Sequence, residues 1–238
     1  MEGERERGSE RFGPRREKTE LLGFSFMEDV SNIRQVPDHQ EVFVDPARDE
    51  SLIVELLDLK HDVADNGSAT WFLQDLASEQ DAEGAMILSH KGYCGALGFI
   101  VRVLGYGQLI GCSCLAMEVI EQSGVVEAHG LRFRNMPAVV TTAVAQMGIS
   151  KGRQGREAQN VIRVYLANLR LKEVGTDVLI TAYEPILINP LSESASSVGA
   201  GLAAPAAESG RMPMAEVFKL AVSSFKVNDW GLFGNATG

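Results

Sequence analysis

Three long segments with strand character, Pro137 to Ile149, Asn160 to Leu171 and Asp177 to Ile188, follow one another closely in the second half of the chain. The stretches between them, Gly148 to Arg156 and Glu173 to Thr176, are too short for a crossover helix and read as hairpin turns. Sequential neighbours must therefore run antiparallel. Within Val161 to Leu171, the apolar Ile162, Val164, Leu166 and Leu169 alternate imperfectly with Arg163, Tyr165 and Arg170. Such a pattern suits a sheet with both faces partly covered. Thr70 to Ala77 and Met117 to Gln122 also have strand character, so a sheet of about five strands is expected.

Helices are expected on both sides of these strands. Upstream, Asp29 or Ser31 can cap one helical turn, Pro37 and Asp38 form a turn, and Glu41 to Asp45 alternates as a short strand. Asp45-Pro46 reads as a helix start. Leu52, Leu56, Leu59 and Val63 then recur at helical spacing, widened by Ile53 and Leu57, while Glu55, Asp58 and Asp62 line another face. Downstream, Pro213 can start a helix on which Val217, Leu220, Ala221, Ser224 and Phe225 share a face, with Trp230, Leu232 and Phe233 packing back on the body. One amphipathic helix on each side of an antiparallel sheet gives an α+β fold, a three-layer α/β/α sandwich.

Charge narrows the partners. The formal net charge is −10, which disfavours nucleic acid and anionic membranes and favours a basic protein surface. From Glu28 to Asp65 there are eleven Asp/Glu and three Lys/Arg, so 3 − 11 places −8 of that charge in this one stretch. Like charges at helical spacing repel, so local stability does not explain the stripe. Docking of a basic partner competes with a plain solubilising role.

Other segments set the expected boundaries. The first 20 residues mix six Glu with six Lys/Arg and suit neither a signal peptide nor a transit peptide, reading instead as a disordered tail. Residues 21–234 read as one domain, interrupted at 87–117 and carrying a Ser-, Ala- and Gly-rich mobile loop at 191–211. The 87–117 stretch is Gly-rich and holds all three cysteines, Cys94, Cys112 and Cys114. It can be read as a membrane span, as a buried strand pair or as an insertion foreign to the domain. Arg102 near its middle opposes the span, and the insertion is favoured. The odd cysteine count points to a reducing compartment.

Motifs for chemistry are lacking. Cys112 and Cys114 are too close for a zinc knuckle, and His39, His61, His90 and His129 are scattered. Gly105 to Gly111 misses the dinucleotide fingerprint, and Gly148 to Gly155 lacks the ending of a phosphate loop. No metal, no cofactor and no catalytic residue is expected.

One stretch goes beyond pattern. DVSNIRQVPDHQEVF at Asp29 to Phe43, followed by ESLIVELLDL at Glu50 to Leu59, resembles the Ran guanine nucleotide release factor (MOG) family. TDVLIT at Thr176 to Thr181 and the ending at Asn228 to Gly234 agree more loosely, while LLGFSF at Leu21 to Phe26 departs from the family's first strand. The resemblance implies a sandwich like that of the photosystem protein PsbP. It also implies a non-catalytic, monomeric protein of nucleus and cytoplasm that binds the small GTPase Ran and promotes release of its nucleotide in nuclear import. The matching positions are Asp29, Arg34, Asp38, Glu41, Glu55 and Asp58, with Glu55 and Asp58 foremost. Alternatives are a PsbP-like photosystem subunit, or an isoform impaired by its insertion.

Overall fold

The computed structural model describes residues 26–30, 35–79, 120–123, 132–133, 136–150 and 155–233. The charged tail, the 87–117 stretch and Arg34 lie outside the described residues. The strands are β1 (Glu28–Asp29), β2 (Gln40–Asp45), β3 (Glu50–Asp58), β4 (Ile120–Ser123), β5 (Arg132–Phe133), β6 (Met136–Pro137), β7 (Val139–Ile149), β8 (Asn160–Leu171), β9 (Thr176–Ile188) and β10 (Gly201–Leu202). Helices are α1 (Ser68–Glu79), α2 (Ser194–Val198) and α3 (Met214–Ser224). The main sheet runs β1-β2-β3-β9-β8-β7-β4, every pair antiparallel, with β10 extending β9.

The expected hairpins are present. β7, β8 and β9 are long because each alternates apolar positions toward two separate cores. Ala143, Ala145, Met147, Ile162, Val164, Leu166 and Leu179 pack under Phe72 and Leu73 of α1. Val140, Tyr165, Leu169, Val178, Ile180 and Ala182 pack under Met214, Val217 and Phe218 of α3. A sheet with a helix on each face is the three-layer α+β sandwich the pattern called for.

Two elements exchange their expected types. Glu50–Asp58 is a strand, not a helix, because β2 and β9 flank it on both edges and supply the ladder: Leu52 pairs with Phe43 and Ala182, Val54 with Glu41 and Ile180. Its near-continuous apolar run fits a strand covered on both faces, and tertiary pairing overrides the helical spacing. Asp45-Pro46 accordingly opens a hairpin turn. The Asp45 carboxylate accepts the Ala47 amide at 3.1 Å, and Asp49 closes the turn with a φ of 58°. Conversely, Thr70 to Ala77 belongs to α1, where Ala69, Phe72, Leu73 and Ala77 are buried at helical spacing.

Smaller departures have simple causes. Asp29 pairs with Phe43 in β1 instead of capping a turn. The 191–211 stretch holds α2, β10 and a 3-10 turn at Ala206–Ser209. It is tied down by buried Asn160, whose amide donates to the Ser192 and Ser194 hydroxyls at 2.9 and 3.2 Å. In α3 the buried face is Met214, Val217, Phe218, Ala221 and Val222, while Leu220 is exposed. Trp230 and Phe233 pack against that core as expected.

The connection from β3 to α1 is held from beneath by a buried ion pair. Arg170 on β8 donates from Nε to Asp177 Oδ1 on β9 at 3.1 Å, and both residues are buried. The other guanidinium nitrogens donate to the carbonyls of Lys60 and Val63 and, at 3.2 Å, to Asp65. Asp177 Oδ2 accepts the Lys60 amide at 2.9 Å, and Asn168 donates to Oδ1 at 3.1 Å. Removing one partner would strand the other charge in the core. Arg170→Met is expected to lower stability by about 3 to 5 kcal/mol, read as a lower urea midpoint with unchanged slope.

Candidate protein-docking surface

The end of the sheet where β3 finishes and β9 begins gathers most of the acids singled out in the sequence. Gln40 N donates to Pro37 O at 2.9 Å, closing the turn that carries Asp38 and His39. The His39 carbonyl then accepts Leu56 N at 2.9 Å, one step past the Gln40–Glu55 pair. Asp38 therefore lies beside the last turn of chain before Asp58. Leu59 N donates to Gly175 O at 2.9 Å, which brings the β8–β9 turn with Glu173 to the same end. Asp38, Asp58, Asp62 and Glu173 are exposed, and Glu55 is half-buried.

Strand geometry changes the relation between the two foremost acids. Glu55 pairs with Leu179, which faces α1, whereas Leu52, Val54 and Leu56 face α3. Asp58 continues that second set. The acids three residues apart thus leave opposite faces of β3 and do not form the helical stripe their spacing implied. They share an end of the sheet, not a side.

The other candidates divide. Glu41, only 6% exposed, pairs with Val54 on the α3 side. Asp29 is half-buried on the same side, in edge strand β1 opposite Phe43. Glu41 is the deeper of the two, and Arg34 is outside the described residues.

Glu55 has a built environment. Gln40 Nε2 donates to its Oε1 at 2.6 Å, and His39 Nε2 lies 3.4 Å from the same oxygen. Burial, then the charges of Glu55 and Glu79, push the Tyr183 hydroxyl well above the usual tyrosine range, so it stays neutral. Nearby, Lys60 lies over the Trp71 ring at 5.8 Å and Lys172 pairs with Asp65. Sequence reading missed His39, Gln40 and Glu173 here, because only the β2–β3 and β3–β9 registers bring them to Glu55 and Asp58. Among the described residues no group of three or more His, Cys, Asp or Glu could hold a metal ion. No described helix is long and apolar enough to cross a membrane.

Comparison with known proteins places the chain among similar sequences. The family profile "Ran-interacting Mog1 protein" matches residues 24–185. The Ran guanine nucleotide release factor of Danio rerio is 29% identical over 168 residues, covering 71% of this chain and 74% of that protein. The probable Ran guanine nucleotide release factor of Dictyostelium discoideum is 26% identical over 205 residues, covering 86% of each. The Homo sapiens Ran guanine nucleotide release factor is 29% identical over 157 residues, covering 66% of each. The crystal structure of the Saccharomyces cerevisiae Ran-binding protein Mog1p aligns with a TM-score of 0.47 at 19% identity, over 88% of this chain and 90% of that one.

Exposure divides the candidate acids. Glu55→Lys and Asp58→Lys are each expected to change stability by no more than about 1 kcal/mol. Glu41→Lys, which places a cation at a buried site, is expected to cost at least about 2 kcal/mol. Thermal and urea unfolding of the three variants gives the comparison.

Proposed function

The chain belongs to the Mog1 family, and on that premise we propose that it binds the GTPase Ran and promotes release of its guanine nucleotide in support of nuclear protein import. The observation that carries the reading to particular residues is the gathering of Asp38, Glu55 and Asp58 at one end of the sheet. The action is non-catalytic. A release factor binds the empty GTPase more tightly than the loaded one, and the same factor reappears as weakened nucleotide affinity.

Carboxylates suit that task. The phosphate site of a GTPase is rich in amides and cations, and it loses its compensating anion when the nucleotide leaves. An acidic end either enters that site or steers docking toward a basic surface around it. Asp29, Arg34 and Glu41 also match the family motif, and of these Asp29 and Glu41 lie on the neighbouring strands β1 and β2. The protein acts as a monomer, in the nucleus and the cytoplasm. The photosystem-subunit alternative draws no support from these relatives, each named for Ran.

A pull-down comparing GTP-loaded, GDP-loaded and nucleotide-free Ran tests the reading. The empty form is expected to be retained best, and Glu55→Lys with Asp58→Lys is expected to weaken that retention at least about tenfold, roughly 1.4 kcal/mol, with circular dichroism unchanged. Equal retention of all three forms would make the protein an ordinary effector, and a double variant that binds normally would remove the acidic end from the interface.

A further inference from the structure

Glu55 is already partly engaged within its own chain. Two neighbours, the Gln40 amide at 2.6 Å and the His39 imidazole at 3.4 Å, meet the same oxygen, Oε1. A cation arriving from a partner, especially a guanidinium taking both carboxylate oxygens, must share or displace these contacts. Gln40 is neutral at every pH. His39 is different, because an imidazole either leaves the carboxylate free for an incoming cation or faces it as a cation itself.

The placement of His39 is fixed by backbone, not by chance of a long side chain. The Pro37–Gln40 turn and the His39 O to Leu56 N bond set its Cα beside β3. The imidazole is half in solvent, with a side-chain exposure of 49% against 24% for Glu55. Among the described residues, Asp38 is next to His39 in the chain, and the Tyr183 hydroxyl of β9 lies in the fields of both Glu55 and Glu79 of α1. Tyr183 stays neutral, and histidine is the only side-chain type in this set whose charge changes between pH 5 and 8.

We propose that His39 is an internal counter-cation for Glu55, a residue that sets partner affinity by competing with the partner's own cation for that carboxylate. The inference rests on the Ran-binding reading for its consequence but not for the pairing itself. When the imidazole is protonated, Glu55 is neutralised from within and the acidic end presents one charge fewer. Partner affinity then falls as pH falls. Because the pair is half-exposed, the effect is modest, about two- to five-fold in Kd between pH 7.5 and pH 6.0.

Two measurements on the full chain test this separately. In the first, the Kd for nucleotide-free Ran is measured at both pH values and constant ionic strength for the wild type and for His39→Asn. Titration of Ran itself is common to both proteins, so the ratio of wild-type to variant Kd isolates His39. That ratio is expected to rise about two- to five-fold on going to pH 6.0, and in a Glu55→Gln background the rise disappears. A ratio unchanged by pH would overturn the proposal.

The second needs no partner. The Glu55 side-chain carboxyl signal, followed by carbon NMR, is expected to show a step between pH 8 and 5 that coincides with the His39 ring signals and vanishes in His39→Asn. A signal without that step overturns the pairing. If the wild type fails to bind Ran in any nucleotide state, the release-factor reading falls, and the carboxyl step alone then decides whether His39 and Glu55 are coupled.

Discussion

Asp177 is fully buried on β9 and meets Arg170 from the neighbouring strand, and the pair holds the backbone that follows β3 as well as the Asp65 and Asn168 side chains. Arg170 takes the carbonyls of Lys60 and Val63 while Asp177 takes the Lys60 amide. Chain leaving β3 therefore turns toward the α1 side of the sheet instead of running on past Asp58. Asn168 links the pair to Ser68, whose hydroxyl donates to Asn168 Oδ1 at 2.7 Å, and the Ala69 amide donates to the Thr141 hydroxyl at 3.1 Å. One connected polar network thus fixes the end of β3, the direction of the acidic connection and the first turn of α1. A network of this kind rigidifies when every member is satisfied.

The opposite end of the sheet is polar in another way. Asp45 pairs with Glu50 across β2 and β3, Arg163 pairs with Glu184 across β8 and β9, and the Glu184 charge acts on Glu50. Arg211 joins Asp45, Arg48 joins Glu50 at 2.8 Å, and Arg163 joins Glu184 at 3.3 Å. Burial raises the Glu50 carboxyl above its ordinary range against the pull of Arg48, and burial, then the hydrogen bond it donates to Glu184 at 2.7 Å, pushes Tyr165 up to about 12. Here acids are matched by arginines and used internally. At the β3–β9 end, Asp38, Asp58 and Asp62 stand exposed. The contrast is what singles out the second end as the candidate surface for a partner.

Much of the fold was legible because it is local. β7, β8 and β9 carry their alternation over many residues, and the turns between them are short, so type and pairing follow together. The β3 strand was not legible, since Leu52, Leu56, Leu59 and Val63 satisfy helical spacing as well as a covered strand does. Only the partners on both edges decide between the two. In α1, by contrast, Ala69, Phe72, Leu73 and Ala77 do follow helical spacing, and the compact apolar text around Trp71 hid it. The family motif named candidate residues without their geometry. It put Glu41 and Glu55 in one set, although one is buried toward α3 and the other opens toward α1.

That parity constrains how the acidic end can meet a partner. On a helix, Glu55 and Asp58 would project side by side and suit a flat basic patch. On a strand they diverge to the two faces, and only the sheet's edge-on end, with Asp38 from the preceding turn and Glu173 from the β8–β9 turn, brings the charges into one view. A flat patch laid against either face would reach one acid and miss the other. A partner that uses both must cap the end of the sheet, placing cations on two sides of β3 at once. Such a contact fits a concave basic site emptied of its anion better than it fits a flat basic surface, and it gives the release-factor reading a geometric form.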